Sequence, residues 1–263
     1  MILFKHILIL SILYSPSTYA IEIKSLHHAV DVAGKQRMFT QRMLKDYAMI
    51  GMENSFDKPD EDLKEVIEHF ENHLLSLHDY TKNRKIIRST NRVKELWIPI
   101  KKILKDKPDI HKALALQEKL ERLLQVSDST THLFAKETKE KSGIIIDISG
   151  RQRMLSQRMA SLYMLKVWGV KNKSFQEKMD KSMELFESSL THLQNSKLNT
   201  KEISKRLKEV EKSFSFFKIM NKTSNTFIPT LIYKKSNDIL KNMNIITKNY
   251  VDLKENRRSL CTP

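Results

Sequence analysis

A thirteen-residue stretch occurs twice in this chain. Asp31 to Met43 reads DVAGKQRMFTQRM, and Asp147 to Met159 reads DISGRQRMLSQRM. At the same offset Tyr47 matches Tyr163, Phe70 matches Phe186, Glu71 matches Glu187, Leu74 matches Leu190 and Leu77 matches Leu193. One residue later in register, Trp97 falls opposite Phe214 and Lys101 opposite Lys218. Solenoid units usually recur at about 20 to 50 residues, so so long a repeat points to a duplicated domain. Any fold proposed for the chain has to be built twice.

The sequence favours helices. Its 263 residues include only 5 Gly and 6 Pro, and 30% are charged. Leu, Lys, Glu, Ile and Met are abundant, and no stretch sustains period-two alternation, so little or no sheet is expected. The net charge of +16 comes from 47 Lys plus Arg against 31 Asp plus Glu. These cations are scattered along the chain, whereas a nucleic-acid surface would cluster them on one face with aromatics between them. They still give the molecule a general attraction for anions. Cys261 is the single cysteine, which excludes an intramolecular disulfide, a cysteine-based zinc site and a CxxC redox pair.

Residues 1–20 read as a secretory signal peptide. Lys5 supplies the positive start, Ile7 to Tyr14 the apolar core, and Thr18-Tyr19-Ala20 the small residues before a cut after Ala20. The apolar run is too short for a spanning helix, which needs about 20 residues. The expected location is the periplasm. Helices are then expected from Glu22 to Gly51, from Pro59 through Leu77, around Val93 to Leu104, and from Ile110 to Glu140. Lys82 to Arg88 reads as a basic link, and Pro99 as a kink or a late start. Only Lys141-Ser142-Gly143 softens the passage into the second motif, so the fourth helix is expected to run on into the fifth. Phe175 to Leu193, Ile203 to Met220 and Leu231 to Leu253 complete the set, with a turn at Asn221 to Thr226. The expected fold is all-α, two tandem four-helix bundles spanning residues 21–140 and 141–256, with a frayed tail at 257–263. Breaks at Pro59, Pro108 and Pro229 argue against a coiled-coil rod.

At about 100° per residue, Val32, Phe39, Met43 and Ile50 make one stripe of the first helix, with Ala29 and Tyr47 beside it. Gly34, Arg37, Met38, Gln41 and Ala48 gather on the opposite side, and Gly150, Arg153, Met154 and Gln157 repeat the first four. A glycine inside a helix costs about 1 kcal/mol relative to alanine and suits a place where something approaches the backbone closely. If the two bundles pair through these faces, two arginines meet. Guanidinium groups suit planar oxyanions, and an anion between them would relieve their repulsion. The alternative is that Arg37 and Arg153 pair with internal carboxylates or reach solvent. Arg42 and Arg158 lie on the helix flank, suited to salt bridges. His69 and His73 have metal-ligand spacing, but Ser189 replaces His73 in the second copy, which favours surface histidines. No nucleophile elbow, Walker loop or HExxH motif is present, no cofactor site is read, and no enzyme is expected.

The repeated segments Ala33 to Met43 and Ser149 to Met159 resemble the N-terminal sensor domain of PilJ-type methyl-accepting transducers and the related P-box of NarX-type nitrate/nitrite sensor kinases. The resemblance is strong over these 11 residues and weaker across the rest of each repeat. It implies a periplasmic four-helix bundle that dimerises and holds nitrate between the two first helices through one arginine from each subunit. Arg37 and Arg153 match that arginine, and Gly34 and Gly150 the glycine one turn earlier. The chain would then be a dimer fused into one polypeptide, binding or sensing a small oxyanion, nitrate or nitrite first. Such sensors also carry transmembrane helices and a cytoplasmic module. Neither is read here, so a membrane-bound sensor kinase or chemoreceptor is the implied partner. The alternative is a ligand-free adaptor docking on such a partner. A double Arg37→Ala, Arg153→Ala variant is expected to stay folded under either.

Overall fold

The computed structural model describes residues 21–222 and 228–259. The expected signal peptide, Cys261, most of the Asn221 to Thr226 turn and the last residues of the tail lie outside the described residues. Among the described residues there are eight helices and no strand: α1 (Leu26–Gly51), α2 (Pro59–Tyr80), α3 (Arg84–Lys105), α4 (Ile110–Glu137), α5 (Lys141–Val167), α6 (Ser174–Gln194), α7 (Lys201–Lys222) and α8 (Pro229–Ser259). None of them is long and apolar enough to cross a membrane.

Local chemistry explains most boundaries. Ser25 caps α1, accepting a hydrogen bond from the His28 N–H at 3.0 Å, so the helix starts four residues after Glu22. Pro59 opens α2 and Asp60, Glu61 and Asp62 fill its first turn, where they favour the positive helix end. Asn83 caps α3 by accepting from the Lys85 N–H, so the basic run that reads as a link is mostly helix. Pro99 lies within α3, fifteen residues after it begins, so there is no late start. The expected merger of α4 with α5 does not occur. Lys139 takes a left-handed φ of 52° and breaks the helix between Glu137 and Lys141. A side chain at Gly143 would fall 2.3 Å from Thr138 Oγ1, so that glycine lets the start of α5 pack against the turn. At the far end, α8 continues to Ser259, through part of the tail expected to fray.

The helices pack by repeat and then across it. α1 packs on α2 and α4, with α3 against α4, and α5 packs on α6 and α8, with α7 against α8. The most extensive contact in the molecule joins α1 to α5. The two run side by side in the same direction. His27 Nε2 lies 2.9 Å from Ser142 Oγ near their starts, and the Trp168 ring lies against Gly51 near their ends. Residues at matching repeat positions therefore face each other across an approximate twofold axis, and the repeats pair within one chain.

Matched residues make matched contacts. Gln36 donates to the Phe70 carbonyl at 2.8 Å, and Gln152 to the Phe186 carbonyl at 2.9 Å. Tyr47 Oη accepts from the Asp109 N–H at 3.0 Å, and Tyr163 Oη from the Ile228 N–H at 2.7 Å. Lys101 pairs with Glu71, as Lys218 pairs with Glu187. Phe70 packs on Trp97 with ring centroids 4.5 Å apart, and Phe186 on Phe214 at 4.4 Å. Val32, Phe39, Met43, Ala29 and Tyr47 are buried as the stripe predicts, with Ile50 half-buried at its end. Because α1 has a neighbour on each side, its opposite face is buried too.

Candidate functional site

The repeated motif forms the seam. Gly34 and Gly150 meet across it, the Cβ position of Gly34 lying 3.9 Å from the Gly150 Cα. That Cβ position is also 3.1 Å from Arg153 Nη2 and 3.4 Å from Arg37 Nη2, and the one at Gly150 is 3.0 and 3.3 Å from the same two atoms. The glycines thus leave room for both guanidinium groups, which lie over the paired backbones fully buried at 0% exposure.

Two buried guanidinium groups need counter-charges, since an unpaired ion in a low-dielectric interior costs several kcal/mol. Each arginine finds one in the other repeat. Arg37 Nη1 lies 2.7 Å from Asp147 Oδ1, and its Nη2 donates to the Asp147 carbonyl at 3.1 Å. Arg153 Nη1 donates to Asp31 Oδ1 at 2.7 Å, and its Nη2 to the Asp31 carbonyl at 3.2 Å. The aspartates that open the two motif copies are therefore exchanged across the seam. Burial pushes the Asp31 carboxyl up, but Arg153 and Lys35 outweigh it and hold the group at about 2. Neither arginine Nε has a hydrogen-bond partner among the described residues.

The symmetry ends one layer out. Arg37 Nη1 also donates to Asp128 Oδ1 on α4 at 2.7 Å. The matching residue on α8 is Asn244, whose Oδ1 accepts from Arg153 Nη1 at 3.2 Å. Arg37 thus holds two carboxylates and Arg153 one. His132, with its proton affinity raised chiefly by a hydrogen bond to Asp128, lies 3.3 Å from both Asp128 and Asp147.

The remaining motif residues are buried in packing roles. Met38 and Met154 join the apolar core. Gln157 donates to the Ser236 carbonyl at 3.0 Å, whereas Gln41 donates to Thr40 Oγ1 at 3.2 Å and lies 3.4 Å from Ser161 Oγ. Arg42 is held by Asp62 and Arg158 by Glu121. His69 and His73 flank the Phe39 ring, with centroids 6.2 and 5.2 Å away, and burial pushes His73 down to about 3. No cluster of three metal-ligating side chains occurs among the described residues.

Three features escape the sequence analysis. Asp31 and Asp147 were legible in principle, since both copies of the motif begin with them. Asp128 and Asn244 are not, because they differ and lie in helices with little repeat identity. The third is a buried polar cluster in one half only. Lys45 donates to Asn237 at 2.7 Å with its ammonium 3.8 Å from the Tyr233 ring centre, and Tyr233 Oη donates to Asp46 at 2.8 Å. Burial lowers the Lys45 ammonium to about 8 and raises the Asp46 carboxyl well above its usual range. Ser161 and Leu162 occupy the matching positions in the second repeat.

The family model described as the type IV pili methyl-accepting chemotaxis transducer N-terminal domain, PilJ, matches residues 22–129 and 134–215. These segments hold one copy of the motif each. No curated protein and no solved structure matches the chain.

Proposed function

The chain belongs to the PilJ family, and on that premise we propose that it is a periplasmic signalling adaptor that docks on a membrane-bound sensor kinase or chemoreceptor. Its two four-helix units, residues 21–140 and 141–256, act as one body. The family is one of sensory and signalling domains rather than enzymes, and it is associated with chemotaxis transducers. The observation that carries the adaptor reading is the state of the seam. Arg37 and Arg153, the residues expected to clamp nitrate, are each neutralised by an aspartate of the opposite repeat. An incoming anion would meet a charge-balanced pair, not two unpaired cations.

One observation favours the second reading, a small oxyanion such as nitrate or nitrite held at the seam. Both Nε groups lack partners, and both Nη2 atoms converge on Gly34 and Gly150. Buried donors without acceptors are costly, and an oxyanion would satisfy them. Gly34, Arg37, Met38, Gln41 and their matches Gly150, Arg153, Met154 and Gln157 would line that site.

A thermal-shift series separates the two. The protein is melted with nitrate, nitrite, chloride and sulfate at constant ionic strength. A ligand that binds only the folded state raises the melting temperature by mass action. No shift is expected, together with crosslinking to one membrane receptor whose yield does not change with nitrate. A rise confined to nitrate or nitrite would overturn the adaptor reading in favour of the seam site.

A further inference from the structure

Beside the seam, between the start of α1 and the end of α8, lies an open cavity of about 470 Å³. Asp31, Lys35, Asn244, Lys248, Asp252 and Glu255 are among its lining residues. It covers the side of the molecule on which Arg153 receives Asn244 in place of an aspartate.

The other half of the molecule shows how this position is filled when the charge is present. There the Asp128 carboxylate sits beside Asp147 on the Arg37 guanidinium, and His132 and Arg151 flank the two acids. Two carboxylates can share one guanidinium because cations stand around them. The cavity side keeps cations at both flanking positions but has no acid where Asp128 would stand; its other carboxylates, Asp252 and Glu255, lie farther along α8. Lys35 matches Arg151 and lies 3.1 Å from Asp31, and Lys248 matches His132. Lys248 has no ion pair among the described residues. Asn244 uses its oxygen to accept from Arg153, which leaves its amide hydrogens for an occupant of the cavity.

We propose that this cavity binds a small monocarboxylate, whose negative charge takes the part played by Asp128 in the other half. The carboxylate accepts hydrogen bonds from the Asn244 amide, the Lys248 ammonium and Lys35, beside the Asp31–Arg153 pair. Such charge-assisted bonds are shorter and stronger than neutral ones. Asp252 and Glu255, one and two turns beyond Lys248 on α8, repel a second carboxylate and favour a ligand with one. This site lies to the side of the arginine pair and does not depend on whether the seam itself takes an oxyanion.

Isothermal titration of the full chain with acetate and with succinate at constant ionic strength tests the assignment. Acetate is expected to bind, and succinate to bind more weakly. Lys248→Ala removes a donor, and Asn244→Asp places the missing charge within the chain. Each is expected to weaken acetate at least about tenfold, the effect of one lost charge-assisted hydrogen bond. Asn244→Asp reproduces an arrangement the other half already carries, so its melting temperature is expected to equal or exceed that of the parent. No heat with the parent chain up to about 10 mM acetate, about ten times the dissociation constant of a millimolar site, would overturn the proposal. So would unchanged acetate binding in both variants, or tighter binding of succinate than of acetate.

Discussion

At the scale of single residues, the arginines of the repeated motif are held by carboxylates rather than left open. Helix geometry places Arg37 and Arg153 on the same face as Gly34 and Gly150 but cannot say which acid reaches them, since their partners lie 91 to 122 residues away in sequence. The double alanine variant is therefore not the neutral probe that the sequence suggests. Arg153→Ala alone takes the buried counter-ion from Asp31 and leaves it only the half-buried Lys35, and breaking a buried pair from one side costs about 3–5 kcal/mol. Equilibrium unfolding in urea checks this, and a loss below about 1 kcal/mol, the range of an exposed pair, would show that the seam is wet. The same pair predicts an acid limb. Asp31 titrates at about 2 in the folded chain against an ordinary 3.8. A depressed carboxylate adds stability above its unfolded pKa, and that stability is lost as pH falls toward the folded value. The pair thus contributes about 2 kcal/mol at neutral pH, lost between about pH 4 and pH 2. Melting temperatures measured across that range should fall less steeply in Asp31→Asn than in the parent chain.

At the scale of elements, α1 and α5 are each buried along both faces, which a single hydrophobic stripe does not announce. The polar face of α1 is small and specific because it meets its own repeat copy. Close approach is set by glycine at both ends of the contact. Near the start, Gly34 and Gly150 admit the guanidinium groups. Near the end, a Cβ on Gly51 would fall 2.1 Å from Trp168 Cζ2, inside the indole ring. Gly51→Val must therefore expel Trp168 from its place beside Tyr47, and overpacking of this kind costs about 1–3 kcal/mol. A red-shifted tryptophan emission together with a lower urea midpoint would report it, while an unchanged spectrum would contradict the packing. Boundaries followed start signals where these were plain, as with Pro59 at the first position of α2, and departed where a basic run masked a cap, as at Asn83. The break at Lys139 had no sequence signal, because a lysine rather than a glycine takes the left-handed turn.

At the scale of the whole molecule, the exchange of Asp31 and Asp147 makes each repeat supply the counter-charge of the other. Residues 21–140 expressed alone would keep Arg37 and lose Asp147, and would also expose the face of α1 that α5 covers. Sedimentation velocity is expected to find this fragment self-associated through α1, with the full chain a monomer; a stable monomeric fragment would contradict the exchange. Acting alone, the sequence determined that the chain is helical, that it is built twice, which family it resembles and which helix of each repeat carries the shared face. Those properties are local: periodicity, caps, a glycine one turn before an arginine, and identity at a fixed offset. Only the tertiary structure decided that the repeats pair within one chain, that the arginines are neutralised by exchanged aspartates, and that Asn244 breaks the symmetry where Asp128 would keep it. Those depend on which distant groups share a dry interior, where a buried charge takes the nearest counter-charge that packing brings to it, and no local pattern records that distance.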